Sequence, residues 1–121
     1  MILKGKVTKG LGKAKYWVGL VFDEFYKTTN IELFPGTLNI KLEKPYTLEP
    51  DFIIKKEKYG GTENVLVQKC RILGTEAYIV RAEKNQKGYG EHKQDILEVV
   101  SDINFRKKYN LEDNKIIEIE V

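Results

Sequence analysis

A glycine-rich segment near the start of the chain has the residue types of a phosphate-binding loop. It runs Gly10-Leu11-Gly12-Lys13-Ala14-Lys15-Tyr16. Glycine lets backbone N–H groups approach an anion closely, and two lysines supply positive charge. The same pattern is also typical of an ordinary glycine connection with solvated lysines, so both interpretations stay open.

A second segment, Pro35-Gly36-Thr37-Leu38-Asn39, could supply oxygen ligands for a hard cation. Because residues two apart on a strand share a face, the Thr37 hydroxyl and the Asn39 amide oxygen would lie side by side. Magnesium accepts such ligands while it keeps waters and takes other oxygens from phosphates. Neutral ligands alone hold magnesium weakly, so this site would exist mainly with a nucleotide bound. The alternative is a strand whose polar residues face solvent.

Two further candidate positions lie toward the C-terminus. Glu98 alternates with Leu97 and Val99, so its carboxylate points to the opposite face, where it could accept the proton of a ligand hydroxyl. Asp102 and the amides after it form a predicted helix N-terminus, and Arg106 one turn later could pair with a phosphate. An outward-facing strand glutamate and a simple capped helix are the alternatives.

The usual catalytic constellations are absent from the sequence. The chain has one histidine, His92, and one cysteine, Cys70, and it lacks the HExxH, GxSxG and GxxxxGK[ST] patterns. A disulfide framework, a CxxC site and a P-loop are therefore excluded. We expect Cys70 to be a buried apolar residue, His92 to be a solvent residue of a polar loop, and the protein to be cytoplasmic.

Length and composition allow one domain, which we expect to cover residues 1–121. The 121 residues are 41% hydrophobic and 32% charged, with 21 basic and 18 acidic side chains and a net charge of +3. A chain of this size can bury a core without metals or disulfides. The charge is too small to indicate nucleic acid, and no apolar stretch suits a signal peptide or a membrane helix. We expect a monomer that binds neither nucleic acid nor membranes.

Alternation of apolar and polar residues predicts a mainly β protein. Strands are predicted over residues 2–9, 15–22, 37–42, 64–73, 76–81, 96–100 and 114–121. Residues 23–30 are predicted to be irregular and 83–92 to be a polar loop. A turn is expected at Gly74-Thr75 and a helix over 103–109, capped by Ser101-Asp102. Because closure removes exposed strand edges, these elements favour an all-β fold, a closed or nearly closed β-barrel with insertions. We expect a six-stranded closed β-barrel with one short C-terminal helix.

Taken together, these segments resemble the archaeal CTP-dependent riboflavin kinases, small barrels of the cradle-loop type, along nearly the whole chain. The first match is the glycine-rich segment over residues 10–16, and the second is Phe-Pro-Gly-Thr-Leu-Asn-Ile-Lys-Leu over 34–42. The third is Ile-Leu-Glu-Val-Val over 96–100, followed by Asn-Phe-Arg at 104–106 and Tyr-Asn-Leu at 109–111. Any one match is weak, but all three in this order are specific.

The resemblance implies transfer of the γ-phosphoryl group of CTP to the 5′-hydroxyl of riboflavin, giving FMN and CDP. Thr37 and Asn39 would ligate Mg²⁺, and Glu98 would contact the flavin and orient or deprotonate its hydroxyl. The nucleotide would be bound by Leu11, Gly12, Lys13, Ala14, Lys15, Tyr16, Ile103, Asn104, Phe105 and Arg106.

One position departs from the family pattern. Where a flavin-contacting threonine is expected two residues before a histidine, this chain has Gly90 before His92, so that contact is lost or made by backbone. The N-terminal helix-turn-helix domain that family members can carry is expected to be missing. The alternative functions are a non-enzymatic small β-barrel that binds nucleic acid through residues 13–17 and a passive flavin carrier.

Overall fold

A computed structural model describes residues 1–10, 14–87 and 94–121 of the chain. The strands in these ranges are β1 (Ile2–Thr8), β2 (Leu38–Leu42), β3 (Phe52–Ile54), β4 (Val65–Ile72), β5 (Thr75–Ala82), β6 (Ile96–Val100) and β7 (Ile116–Glu120). The helices are α1 (Ala14–Thr29), α2 (Lys56–Tyr59), α3 (Glu83–Gln86) and α4 (Phe105–Lys108).

Six of these strands close into an antiparallel barrel, in the order β4-β5-β6-β2-β1-β7. The barrel closes where β7 returns to β4, with Arg71 opposite Glu120 and Ile72 opposite Ile119. Strand β3 pairs with β4 as a short seventh strand. The predicted six-stranded closed barrel is therefore confirmed.

Every barrel strand contributes to an apolar interior. The cluster takes a fully buried side chain from each of the six strands: Val7, Ile40, Ile72, Ile79, Leu97 and Ile119. Beside them, Gly5 of β1 leaves no room for a side chain, since an added Cβ would lie 2.6 Å from both Ile40 Cγ2 and the Lys41 carbonyl oxygen. Period-2 alternation thus sends one face of each strand inward and the other outward.

A second apolar cluster lies outside the barrel wall, beneath α1. Val18, Val21 and Phe25 on the helix pack with Val80 of β5 and Val100 of β6, among others. The aromatic rings of Phe25 and Tyr78 meet edge to face, with their centroids 4.9 Å apart. Helix α1 therefore covers part of the outer wall, on the face opposite the barrel interior.

The strand predicted over residues 15–22 is wrong, because these residues form the first half of α1. The irregular segment predicted over 23–30 is also wrong, since the helix continues to Thr29. The buried residues Val18, Val21 and Phe25 are spaced by three and four positions, which is the helical period. The aromatic and β-branched residues at 16–22 favoured a strand locally, and burial of one helical stripe against the barrel outweighs that preference.

Three smaller predictions also differ from the structure. The polar loop predicted over residues 83–92 begins instead with a short helix, α3 (Glu83–Gln86). The hairpin turn is formed by Leu73 and Gly74, with φ values of 52° and 76°, one position earlier than predicted. The N-cap of α4 is Asn104, whose side chain accepts a hydrogen bond from the Lys107 N–H at 3.1 Å, in place of the predicted Ser101-Asp102 cap. The helix predicted over 103–109 is confirmed only over its central turn.

Cys70 is buried, as predicted, and burial raises the pKa of its thiol to about 12. The thiol is therefore protonated and unreactive at neutral pH.

Among the described residues, no helix has both the length and the apolar character needed to span a membrane.

Replacing Gly19 with alanine should raise the free energy of unfolding by about 0.5–1 kcal/mol, because glycine is a poor residue for a helix interior. Gly19 is exposed in α1, and an added Cβ would meet no other atom within 4 Å. Urea unfolding followed by circular dichroism measures the change. Gly5→Ala is the matched control and should destabilise the protein, since its Cβ would clash inside the barrel. A destabilised Gly19→Ala variant would contradict the helical assignment.

Candidate active site

The antiparallel register sets Thr8, Asn39 and Glu98 in one row across three strands. Asn39 of β2 is directly opposite Thr8 of β1 on one side and Glu98 of β6 on the other. Directly opposed residues share a face, with Cβ atoms about 5 Å apart. The neighbours Ile40 and Leu97 point into the barrel, so this row lies on the outer face of the wall.

Asn39 is the most unusual member of the row. Its side chain is 5% exposed, its Nδ2 donates to Thr37 Oγ1 at 3.1 Å, and its Oδ1 is buried without a hydrogen-bond partner among the described residues. Leaving a buried acceptor unpaired costs about 1–3 kcal/mol. Gly10 lies against the same amide, because an added Cβ there would be 2.5 Å from Nδ2. Asn39 of β2 therefore has an unpaired amide oxygen, and the residue lies opposite the end of β1.

Thr37 and Asn39 line a cavity of about 650 Å³. The end of β1, the start of β2 and the Pro35-Gly36 turn form part of its wall. The first turn of α1, Arg106 of α4 and residues 111–113 form the rest. The basic residues on these walls are Lys9, Lys15 and Arg106, and the acidic residues are Glu112 and Asp113. The described walls thus carry only a small excess of positive charge.

Arg106 connects separate walls of this cavity through hydrogen bonds. Its Nη2 donates to the Thr8 carbonyl at 3.0 Å and to Asp113 Oδ1 at 2.7 Å, and its Nη1 donates to the Leu111 carbonyl at 3.4 Å. The Arg106 and Asp113 side chains are 37% and 36% exposed, so the ion pair itself contributes little stability. Its main effect is to join the end of β1 to the segment after α4.

A smaller cavity of about 190 Å³ adjoins the first. Ile103, Asn104 and Phe105 line it, and it shares Gly36, Thr37 and Arg106 with the larger cavity. Two distant parts of the chain, the Pro35-Gly36 turn and the start of α4, therefore meet at one continuous depression.

The structure gathers most of the predicted site residues that it describes. Thr37, Asn39, Lys15 and Arg106 meet at the larger cavity, and residues 103–105 at the smaller one. Glu98 lies beside Asn39 on the neighbouring strand. By contrast, Tyr16 is 74% exposed and lines neither of these two cavities.

Several predicted positions cannot be placed in this way. Leu11, Gly12, Lys13, Gly90 and His92 lie outside the described residues, and the structure does not describe the side chain of Ala14.

Sequence reasoning missed other residues at the cavity. Lys9 precedes the glycine-rich segment and could have been included with it, whereas nothing in the sequence around Glu112 and Asp113 indicates a site. The buried Arg81, which lines neither of the two cavities, was also missed, although alternation from Ala77 and Ile79 sends it to the interior face of β5. A charge in an otherwise apolar alternation was the available signal.

The side-chain oxygens around the larger cavity belong to the neutral residues Thr8, Thr37 and Asn39 and to the acidic residues Glu112 and Asp113. Among the described residues, no group of three or more His, Cys, Asp or Glu side chains is arranged to hold a metal ion. The Thr37 hydroxyl and the Asn39 amide oxygen are the donors that a hard cation could use, with its remaining ligands coming from elsewhere.

Comparison with known proteins assigns the chain to a family. Residues 7–121 match the family model for the CTP-dependent riboflavin kinase domain (CTP-dep_RFKase, DUF120). A riboflavin kinase of Staphylothermus marinus is 35% identical over 97% of this chain and 88% of its own length. Riboflavin kinases of Pyrobaculum aerophilum and Archaeoglobus fulgidus are 31% and 29% identical over 98% of this chain. The matches cover 60% and 54% of those two proteins. The chain belongs to the CTP-dependent riboflavin kinase family.

Proposed function

We propose that this protein transfers the γ-phosphoryl group of CTP to the 5′-hydroxyl of riboflavin, giving FMN and CDP. Family membership and the riboflavin kinases it matches support this reaction. One structural observation carries the proposal: the buried Oδ1 of Asn39 has no hydrogen-bond partner among the described residues, and Asn39 lines a cavity with Thr37 and lies directly opposite Glu98. Buried acceptors without a hydrogen-bond partner are rare in folded domains, and a bound ligand can supply the missing interaction.

The donor set fits a magnesium ion that arrives with the nucleotide. Asn39 Oδ1 has no hydrogen-bond partner among the described residues, and the Nδ2 of the same amide donates to Thr37 Oγ1 at 3.1 Å. Two neutral oxygens hold Mg²⁺ weakly, so phosphate oxygens and water must complete the coordination. When bound there, magnesium would neutralise charge on the phosphate groups.

The nucleotide would occupy the two adjoining cavities. Lys9 and Lys15 lie on the walls of the larger cavity, where their ammonium groups can offset phosphate charge. Residues 103–105 line the smaller cavity and Arg106 lies between the two. By the family resemblance, residues 11–16 complete the nucleotide site.

Glu98 would act on the acceptor. Its carboxylate takes the proton of the riboflavin 5′-hydroxyl as that oxygen attacks the γ-phosphorus, and the bond from phosphorus to the β,γ-bridging oxygen breaks to release CDP. The acceptor oxygen and the leaving oxygen must be held in line, which is the main task of the site. At Gly90, which lies outside the described residues, the flavin contact that the family makes through threonine would be lost or made by backbone.

We further infer a single catalytic domain that works as a cytoplasmic monomer. Barrel closure pairs both edges of its six strands, which removes the commonest route to strand-mediated association. The one cysteine is a free, buried thiol, which suits a reducing compartment.

The protein is incubated with riboflavin, Mg²⁺ and either CTP or ATP. We expect more FMN to form with CTP than with ATP. Chromatographic detection of FMN measures the outcome. A nucleic-acid-binding barrel would instead show binding that weakens steeply with salt and no turnover. A flavin carrier would bind riboflavin without forming FMN.

Asn39→Ala should lower the rate of FMN formation at limiting Mg²⁺ by at least about tenfold, because it removes a metal ligand. The fold should persist, since the substitution also removes a buried, unpaired acceptor. Lys41→Ala is a suitable control, because Lys41 lies two residues along β2 with an exposed side chain paired to Asp95. Equal Mg²⁺ dependence of the Asn39→Ala variant and the wild type would exclude the metal assignment.

Glu98→Gln should reduce kcat by about 100-fold or more while leaving the KM for CTP nearly unchanged, because the amide cannot accept the hydroxyl proton. Glu118→Gln, on an exposed position of β7, provides the matched control. Steady-state kinetics with each substrate varied in turn separate the two constants. A Glu98→Gln variant with normal kcat would remove Glu98 from the acceptor role.

A further inference from the structure

Arg81, near the end of β5, is a buried cation. It is 4% exposed, and it follows Ala77 and Ile79 on the face of the strand that points into the barrel. A guanidinium remains charged in proteins, so burial of this kind requires acceptors for its hydrogen bonds.

The acceptors of Arg81 come from three separate parts of the chain. Nη1 donates to the Tyr46 carbonyl and to Gln86 Oε1, the latter at 2.7 Å. Nη2 donates to the Gln94 carbonyl at 3.0 Å and to the Ile96 carbonyl at 3.3 Å. One planar side chain thus fixes the segment after β2, helix α3 and the entrance to β6 relative to one another.

Other hydrogen bonds close this network around Arg81. The Gln86 side chain accepts from the Leu48 N–H at 3.3 Å and donates to the Leu48 carbonyl at 3.0 Å. Gln94 Nε2 donates to the Gln86 carbonyl, and the Tyr46 N–H donates to the Gln94 carbonyl at 3.0 Å. Residues 86 and 94 are therefore held together, and each is also held to the segment after β2.

The network reaches the acceptor side of the candidate site through β6. Ile96 is the first residue of this strand and Glu98 is two residues further on. Glu98 is also directly opposite Val80, the residue before Arg81. Burial lowers the pKa of the Arg81 guanidinium, and electrostatic contributions from Tyr46 and then Glu98 oppose that shift. Arg81 points into the barrel and Glu98 lies on the outer face, so the connection between them runs through the backbone at the start of β6.

Stability alone is a poor explanation for this arrangement. Buried charged networks are often no more stabilising than apolar residues of similar volume. What a bidentate, planar side chain adds is a fixed spacing between backbone carbonyls. Here the fixed carbonyls belong to the start of the strand that carries the proposed catalytic carboxylate.

We propose that Arg81 is a positioning residue for the acceptor half of the site, holding the entrance to β6 so that Glu98 meets the riboflavin hydroxyl. The inference rests on the proposed function and adds to it a residue that touches neither substrate. Loss of this positioning should affect riboflavin and leave CTP largely untouched, because none of the four residues that accept hydrogen bonds from Arg81 lines either of the proposed nucleotide cavities.

Arg81→Lys keeps the charge but cannot span the four acceptors. The riboflavin KM, and the riboflavin Kd from flavin fluorescence, should both rise about tenfold, the effect of losing one charge-assisted hydrogen bond, while the CTP KM stays within about twofold. Arg71→Lys is the matched control, because Arg71 is an exposed arginine of β4 that donates to the Gly74 carbonyl. That control should leave all three constants unchanged.

A second variant covers the case in which Arg81→Lys does not fold. Gln86→Met removes one acceptor at similar volume and should raise the riboflavin Kd in the same direction by a smaller factor. Unchanged riboflavin constants in the folded variants, or equal rises for riboflavin and CTP, would overturn the proposal and leave Arg81 a purely structural residue. If the wild type binds riboflavin without forming FMN, the proposed function fails and the Kd comparison still decides the role of Arg81. If the wild type does not bind riboflavin, both fail.

Discussion

The candidate site depends on the register of three neighbouring strands. Pairing of β1 with β2 and of β2 with β6 brings Asn39 between Thr8 and Glu98. Because side chains alternate with a period of two, a shift of one residue would send Asn39 or Glu98 into the barrel and an apolar neighbour outward. The buried interior row, including Ile40 and Leu97, makes such a shift very costly. The same apolar residues that stabilise the barrel therefore specify the arrangement of the polar ones.

The site lies on the outside of the wall because the inside is filled. The interior of this six-stranded barrel is filled by side chains, so the ligands of the proposed reaction would have to bind against its outer face or its ends. Helix α1 covers the outer face at β4 and β5, and the row of polar residues continues from that covered region toward β1. A half-covered wall buries Asn39 while the neighbouring cavity stays open. Asn39 is thus a buried residue that nevertheless lines an open cavity.

Much of the barrel could be predicted from the sequence, and α1 could not. Strand β2 alternates clearly, β6 is a short apolar run with one charge inside it, and the Leu73-Gly74 turn between β4 and β5 is marked by glycine. In α1 the local preference of aromatic and β-branched residues competed with the spacing of Val18, Val21 and Phe25, and only the barrel surface decides between them. The pairing of Asn39 with Glu98 could not be predicted from spacing either, since residues 59 positions apart are joined only by tertiary register.

Arg81 and Arg106 each donate hydrogen bonds to a carbonyl group at the end of a short strand. Where a strand ends, its carbonyl groups leave the ladder and need other donors if they are shielded from water. Arg106 donates to Thr8, the last residue of β1, and Arg81 donates to Ile96, the first residue of β6. Each guanidinium also bonds a carbonyl of an adjoining connection, so the chain is fixed at the points where the site begins. The same hydrogen bonds therefore satisfy the carbonyl groups at the strand ends and restrict the movement of the backbone there, because a carbonyl bound by a planar guanidinium has little freedom to move. For this reason the connections around such a barrel can carry ligand-binding groups with the precision usually found on strands and helices.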